Sequence, residues 1–160
     1  MRTNIRMLVL GTLLTMAVPS AVASAQASDP AIGTWVLNVA KSTYSPGPGP
    51  KSGTRTYVAT EKGWTYSSKG IDAEGKPTAS TFTAKFDGKY TPITGSAAVD
   101  SIVVTRVDAN TAKATQKKGD KVVLHVTRVI AKDGETMTVT TTGTDAAGKP
   151  TKNVELFEKK

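Results

Sequence analysis

Lys121-Val122-Val123-Leu124-His125-Val126-Thr127-Arg128-Val129-Ile130-Ala131 leads through Lys132-Asp133-Gly134 into Glu135-Thr136-Met137-Thr138-Val139-Thr140-Thr141-Thr142. Both arms are rich in β-branched residues, and the Asp-Gly pair between them accepts the positive φ of a tight hairpin turn. The stretch predicts two antiparallel strands, 121–131 and 135–142. The same pattern extends outward: β-branched and aromatic residues alternate with polar ones, and Lys62-Gly63, Asp87-Gly88, Asp108-Ala109-Asn110 and Lys118-Gly119-Asp120 supply further turns. No segment after residue 30 shows apolar residues at helical spacing. The expected fold is all-β, an antiparallel meander β-barrel of 8–10 strands without a helical lid. Its strands are expected at 34–39, 54–60, 64–69, 78–86, 90–93, 99–107, 111–117, 121–131, 135–142 and 152–159. The Pro/Gly-rich stretch 45–52 interrupts the pattern once, as a stiff surface loop.

The N-terminus reads as a targeting segment. Arg2 and Arg6 precede an apolar run from Met7 to Val18, and small residues follow at Ala21, Ala23 and Ala25. This matches a signal peptide, residues 1–23, cleaved after Ala23 or Ala25; the run is too short for a permanent membrane span. The expectation is one exported β-barrel domain, 24–160, periplasmic or secreted from a bacterium. The whole chain holds 160 residues, 21 Lys and Arg against 13 Asp and Glu, one His and no Cys. That removes disulfides, thiolate metal sites and thiol nucleophiles, and a single His cannot build a multi-His metal centre. No cofactor and no metal are expected. The basic balance favours anionic envelope components as partners, whereas the sparse lysines lack the interleaved aromatics of a nucleic-acid surface.

Candidate site residues follow from strand alternation. Arg128 shares a face with Val122, Leu124, Val126 and Ile130, where a guanidinium is costly to bury unless an anion meets it. The tetrapeptide Val126-Thr127-Arg128-Val129 repeats Val104-Thr105-Arg106-Val107. Matched registers on next-but-one strands would set Arg106 and Arg128 about 10 Å apart, within reach of one carboxylate or phosphate. Tyr66, on the face of Trp64, and Phe82, in the alternation Phe82-Ala84-Phe86, fit a packed core face or the wall of a ligand cavity. His125, the only neutral-pH base, falls opposite Arg128 and reads as structural; no paired carboxylates of the glycosidase kind stand out, so an enzyme is not expected. The related segments Gly70-Ile71-Asp72-Ala73-Glu74-Gly75-Lys76-Pro77-Thr78 and Gly143-Thr144-Asp145-Ala146-Ala147-Gly148-Lys149-Pro150-Thr151 read as two hairpin turns of one design rather than ion sites.

Gly33-Thr34-Trp35-Val36-Leu37 at the head of the domain, a ten-strand meander and Val154-Glu155-Leu156-Phe157-Glu158-Lys159 at its end together resemble the calycins, the lipocalin and fatty-acid-binding-protein superfamily. The segment from Gly33 to Ser52 also resembles small secreted bacterial proteins. The calycin resemblance implies a ligand-holding barrel in which an Arg on a late strand, similar in place to Arg128, contacts the ligand carboxylate. The chain departs from that pattern in its last strand, where Lys152, Asn153 and Glu155 replace an Arg-x-Tyr pair. It also has a Pro-Gly loop in place of a helical lid. The functional expectation is a monomeric exported binding protein for a small apolar or amphipathic, anionic ligand, with Arg128, Arg106, Tyr66 and Phe82 as site residues. The alternative is an envelope interaction protein with a filled barrel and a basic surface.

Overall fold

The computed structural model describes residues 29–145 and 147–160, so the expected signal peptide and its cleavage positions lie outside the described residues. Ten strands follow in chain order: β1 (Gly33–Ser45), β2 (Ser52–Thr60), β3 (Gly63–Ile71), β4 (Pro77–Ala84), β5 (Thr91–Pro92), β6 (Ser101–Arg106), β7 (Thr111–Lys118), β8 (Lys121–Ile130), β9 (Thr136–Thr144) and β10 (Pro150–Lys159). They form one antiparallel sheet in the order β4-β3-β2-β1-β10-β9-β8-β7-β6-β5. The first and last strands therefore pair, with Trp35 opposite Lys159 and Leu37 opposite Phe157. The sheet curls until its two edges meet at one bridge, Thr81 to Thr94, made by two backbone hydrogen bonds of 3.1 and 3.0 Å. This is the expected all-β meander, a nearly closed barrel.

Several strand ends differ from the sequence reading, each for a local reason. The first strand continues past Val39 because a bulge between Asn38 and Thr43 sets Val39 to Ser42 opposite the single residue Glu155. There Asn38 Oδ1 accepts from the Lys41 amide at 3.1 Å, and Ser42 Oγ donates to the Asn38 carbonyl at 2.7 Å while accepting from the Leu156 amide at 3.0 Å. The strand expected at 78–86 stops at Ala84, since Phe86 turns with a φ of 54°. The strand at 90–93 is reduced to two residues, and Val99 is buried in the loop before β6 rather than in the strand. On β8 a register shift opposite Gln116 and Lys117 leaves Val122 exposed and packs Val123 on the core, although Leu124, Val126, Arg128 and Ile130 keep the inward face.

The two related segments form matching turns between β3 and β4 and between β9 and β10. Asp72 Oδ1 accepts from the Lys76 amide at 2.7 Å, and Asp145 Oδ1 accepts from the Lys149 amide at 2.8 Å. Each aspartate also exchanges backbone hydrogen bonds across its turn. The carboxylates serve the turn itself.

One end of the barrel is solidly filled. Trp35, Phe157, Ile130, Met137 and Val139 are fully buried there, each contributing about 1.5–3 kcal/mol through removal of apolar surface from water. The turn that precedes β1 seals this end: Asp29 Oδ1 accepts from the Ala31 amide at 2.9 Å, the Asp29 carbonyl accepts from Ile32, and Trp35 Nε1 donates to the Ala31 carbonyl at 2.8 Å. Toward the other end the inward positions carry small side chains, and a cavity opens.

Gly143 fixes the pairing of the two strands first recognised in the sequence. It sits opposite Leu124 with a φ of 152°, and a Cβ there would collide with the Val123 carbonyl oxygen. Gly143→Ala is expected to lower stability by about 1–3 kcal/mol, measured by urea unfolding. An unchanged midpoint would show that β8 and β9 do not approach this closely.

Candidate functional site

The site follows from one row of inward-facing positions. Arg106 on β6 pairs with Ala112 on β7, Ala112 with Arg128 on β8, Arg128 with Val139 on β9, and Val139 with Glu155 on β10. The two Val-Thr-Arg-Val segments are thus in matched register, with the small Ala112 between their arginines. The next row, Val104, Ala114, Val126 and Thr141, is apolar or small. On the facing wall Tyr57, Tyr66 and Phe82 occupy one row of β2, β3 and β4, and Tyr66 stacks on Phe82 with ring centroids 4.7 Å apart. Small residues on one wall cannot meet the aromatics of the other, and a cavity of about 260 Å³ remains between them.

Trp64 and Arg128 lie at the inner end of this cavity. Trp64 is held edge-on by Tyr57 at 4.9 Å and Phe86 at 5.8 Å, while the Arg128 guanidinium lies 5.2 Å from the Tyr57 ring and 5.4 Å from the Trp64 ring. Arg128 is only 7% exposed, the one buried charged residue among those described. Its Nη2 lies 3.8 Å from Asp29 Oδ1, an ion-pair distance too long for a hydrogen bond. Its Nε and Nη1, together with Trp64 Nε1, are buried without a hydrogen bond of ordinary geometry, and the Tyr57 hydroxyl is a neighbouring acceptor that interacts with Arg128. Each such orphan costs about 1–3 kcal/mol in lost hydration. Burial also pushes the Tyr57 hydroxyl above the usual phenol range, with Arg55 and Arg128 pulling it back. Tyr57 is therefore neutral beside the two guanidiniums at physiological pH.

A second ion pair stands beside the cavity. Arg55 on β2 donates from Nη2 to Glu155 Oε2 at 2.5 Å and lies over the Phe157 ring at 4.3 Å. Both side chains are largely shielded, at 18% and 14% exposure, so this pair is internally neutralised.

Three of the four site residues expected from sequence, Arg128, Tyr66 and Phe82, line the same cavity. Arg106 does not. It sits at the sealed end, 41% exposed in its side chain, over Phe86 at 4.7 Å and bound from Nη2 to Asp29 Oδ2 at 2.5 Å. The carboxylate within reach of both arginines is thus the chain's own Asp29. His125 is exposed on the outer face, away from the cavity. The sequence reading missed Asp29, Arg55, Glu155, Tyr57 and Trp64 as site residues. For Arg55 and Glu155 the signal was present in strand alternation, since each shares parity with a buried aromatic, Tyr57 or Phe157. Asp29 carried only the Asp-Pro signature of a turn.

No family model matches the chain, and no curated protein matches it significantly. Among solved structures, zebrafish ileal bile acid-binding protein complexed with cholic acid aligns with a TM-score of 0.47 and 12% identity, covering 82% of this chain and 99% of that one.

The orphaned nitrogens make a prediction about stability. Arg128→Met removes a poorly satisfied buried cation and leaves Asp29 with Arg106, so the ligand-free protein is expected to gain about 1–3 kcal/mol. Asp29→Ala removes both the nearby anion and the turn acceptor, so it is expected to lose about 2–4 kcal/mol. Urea unfolding of both variants checks this; a large loss for Arg128→Met would mean that its nitrogens are satisfied in the folded protein.

Proposed function

We propose that the chain is an exported binding protein whose half-filled β-barrel holds a small apolar or amphipathic ligand with an anionic head group. The carrying observation is the buried Arg128 guanidinium in the lining of a cavity walled by Tyr57, Tyr66 and Phe82. A largely buried guanidinium in the cavity lining, whose nearest carboxylate is 3.8 Å away, favours a carboxylate or similar oxyanion as the head group. Export rests on the charged, then apolar, then small-residue pattern of residues 1–25.

Binding in this reading is reversible burial. The tail would lie between the aromatic wall of Tyr57, Tyr66 and Phe82 and the small residues of β7 and β9. Each methylene removed from water contributes about 0.8 kcal/mol, and the charge-assisted hydrogen bonds at Arg128 contribute about 1.5–3 kcal/mol. The tail thus supplies most of the affinity and the arginine fixes orientation and head-group charge. Binding is favoured over catalysis because His125, the one neutral-pH base, faces away from the cavity. Of the two readings made from sequence, the cavity favours the ligand carrier over the filled barrel.

The test pairs an acid with its neutral analogue. Octanoate and octanol are titrated into the protein with Trp64 fluorescence as the readout. Arg128→Ala is expected to weaken octanoate by about 2–3 kcal/mol and octanol by less than about 0.5 kcal/mol. Equal losses would remove the head-group role of Arg128, and no saturable binding of either molecule would contradict the proposed function.

A further inference from the structure

The barrel closes through a single rung. β4 pairs with β3 along its whole length, from Pro77 opposite Ile71 to Ala84 opposite Trp64, yet among the described residues its other edge is joined only at Thr81, to Thr94. The sequence stops that pairing on both sides. The Thr94 amide donates to Thr81 and the Ile93 amide to Asp100 at the head of β6, so the backbone nitrogen that next faces β4 is that of Pro92, which carries no hydrogen. On the other side Gly95 turns away with a φ of 82°, and a Cβ there would collide with the Ala79 carbonyl oxygen. Beyond the rung, toward Ala84, the strands part, and a slot of about 340 Å³ lies between Thr83 and Lys85 on one side and Thr91 and Pro92 on the other. Phe82 borders both this slot and the main cavity, and its ring stacks on Tyr66. Across the seam the cavity wall is made by Ile93, Ser96, Ala98 and Val99. That segment is anchored away from β4, since the Asp100 amide donates to the Lys117 carbonyl at 2.9 Å and Asp100 Oδ2 accepts from the Gly119 amide at 2.7 Å.

We infer that ligands enter and leave the cavity sideways, through the seam between β4 and residues 91–99, with the Thr81–Thr94 rung as its latch and Phe82 as the partition between slot and cavity. The inference rests on that cavity being the ligand site. Opening the latch breaks two backbone hydrogen bonds between exposed residues, whose freed groups pass to water, whereas parting β4 from β3 breaks a ladder along the whole strand. The sealed end offers no comparable path, because Trp35, Phe157 and Met137 fill it. Lys85, on the rim of the slot, adds a positive charge where an anionic head group would approach.

The chain has no Cys, so Thr81→Cys combined with Thr94→Cys creates one possible disulfide. Directly opposed, hydrogen-bonded positions on antiparallel strands have Cα atoms about 5.5 Å apart, within the span of a disulfide. Both side chains are exposed and neither lines the cavity. Octanoate exchange is measured from NMR line shapes of the oxidised and the reduced double variant. Oxidation is expected to slow association and dissociation together, each at least tenfold, with the dissociation constant unchanged within threefold, and a reductant is expected to restore both rates. Phe82→Ala, which joins slot and cavity, is expected to raise the association rate at least threefold. Rates equal within threefold in oxidised and reduced protein, with octanoate still bound in an Arg128-dependent manner, would overturn lateral entry and leave the cavity standing as the ligand site. Absence of saturable octanoate binding in the unaltered protein would overturn that reading and the entry route with it. If the disulfide does not form, Phe82→Ala decides alone, and an unchanged association rate there overturns the inference.

Discussion

A guanidinium withdrawn from water with only part of its hydrogen-bonding capacity met is the constraint around which this barrel is arranged. Arg128 has Asp29 on one side, two aromatic rings nearby and an unfilled cavity on the other. The folded chain withstands that cost because the sealed end is packed with Trp35, Phe157, Met137, Ile130 and Val139, each worth about as much as one orphaned donor costs. The two ends of the barrel thus differ in how fully the interior is packed. A protein selected for stability alone would place an apolar side chain at position 128.

The division between the two halves comes from side-chain size on neighbouring rows. Strand alternation turns Ala112 and Ala114 of β7 and Thr141 and Gly143 of β9 inward on either side of β8, while Tyr57, Tyr66 and Phe82 project from the facing wall. Near Trp35 and Phe157 large residues face large residues and the interior closes. The Asp29 turn completes that closure and brings a carboxylate to the arginine row. One short segment before the first strand thereby contributes to packing and to the charge of the interior.

Much of the architecture was legible in the sequence because a two-residue period is a strong signal. The hairpin through Asp133-Gly134 and the inward face of Arg128 follow from alternation and turn chemistry, whereas alternation left the register of Arg106 with Arg128 open. The bulge at Asn38 to Thr43 was not legible, since it depends on side-chain hydrogen bonds that a pattern of apolar residues does not encode. The end of the strand at Ala84 was hidden for a related reason: Phe86 keeps its apolar contact with Trp64 although the chain has already turned. Alternation set Arg106 and Arg128 on next-but-one strands, but it could not reveal that the anion nearest them belongs to the chain. Asp29 lies outside the strands, and only the folded barrel brings it to β6 and β8.

The central claim is that the space beside Arg128 is a binding site for an anionic amphiphile. A crystal structure grown with octanoate tests it most directly. The carboxylate is expected about 3 Å from the guanidinium nitrogens of Arg128, with its tail against Tyr66 and Phe82. A cavity filled by ordered water with those nitrogens satisfied and octanoate absent, or octanoate bound with its carboxylate away from Arg128, would contradict it.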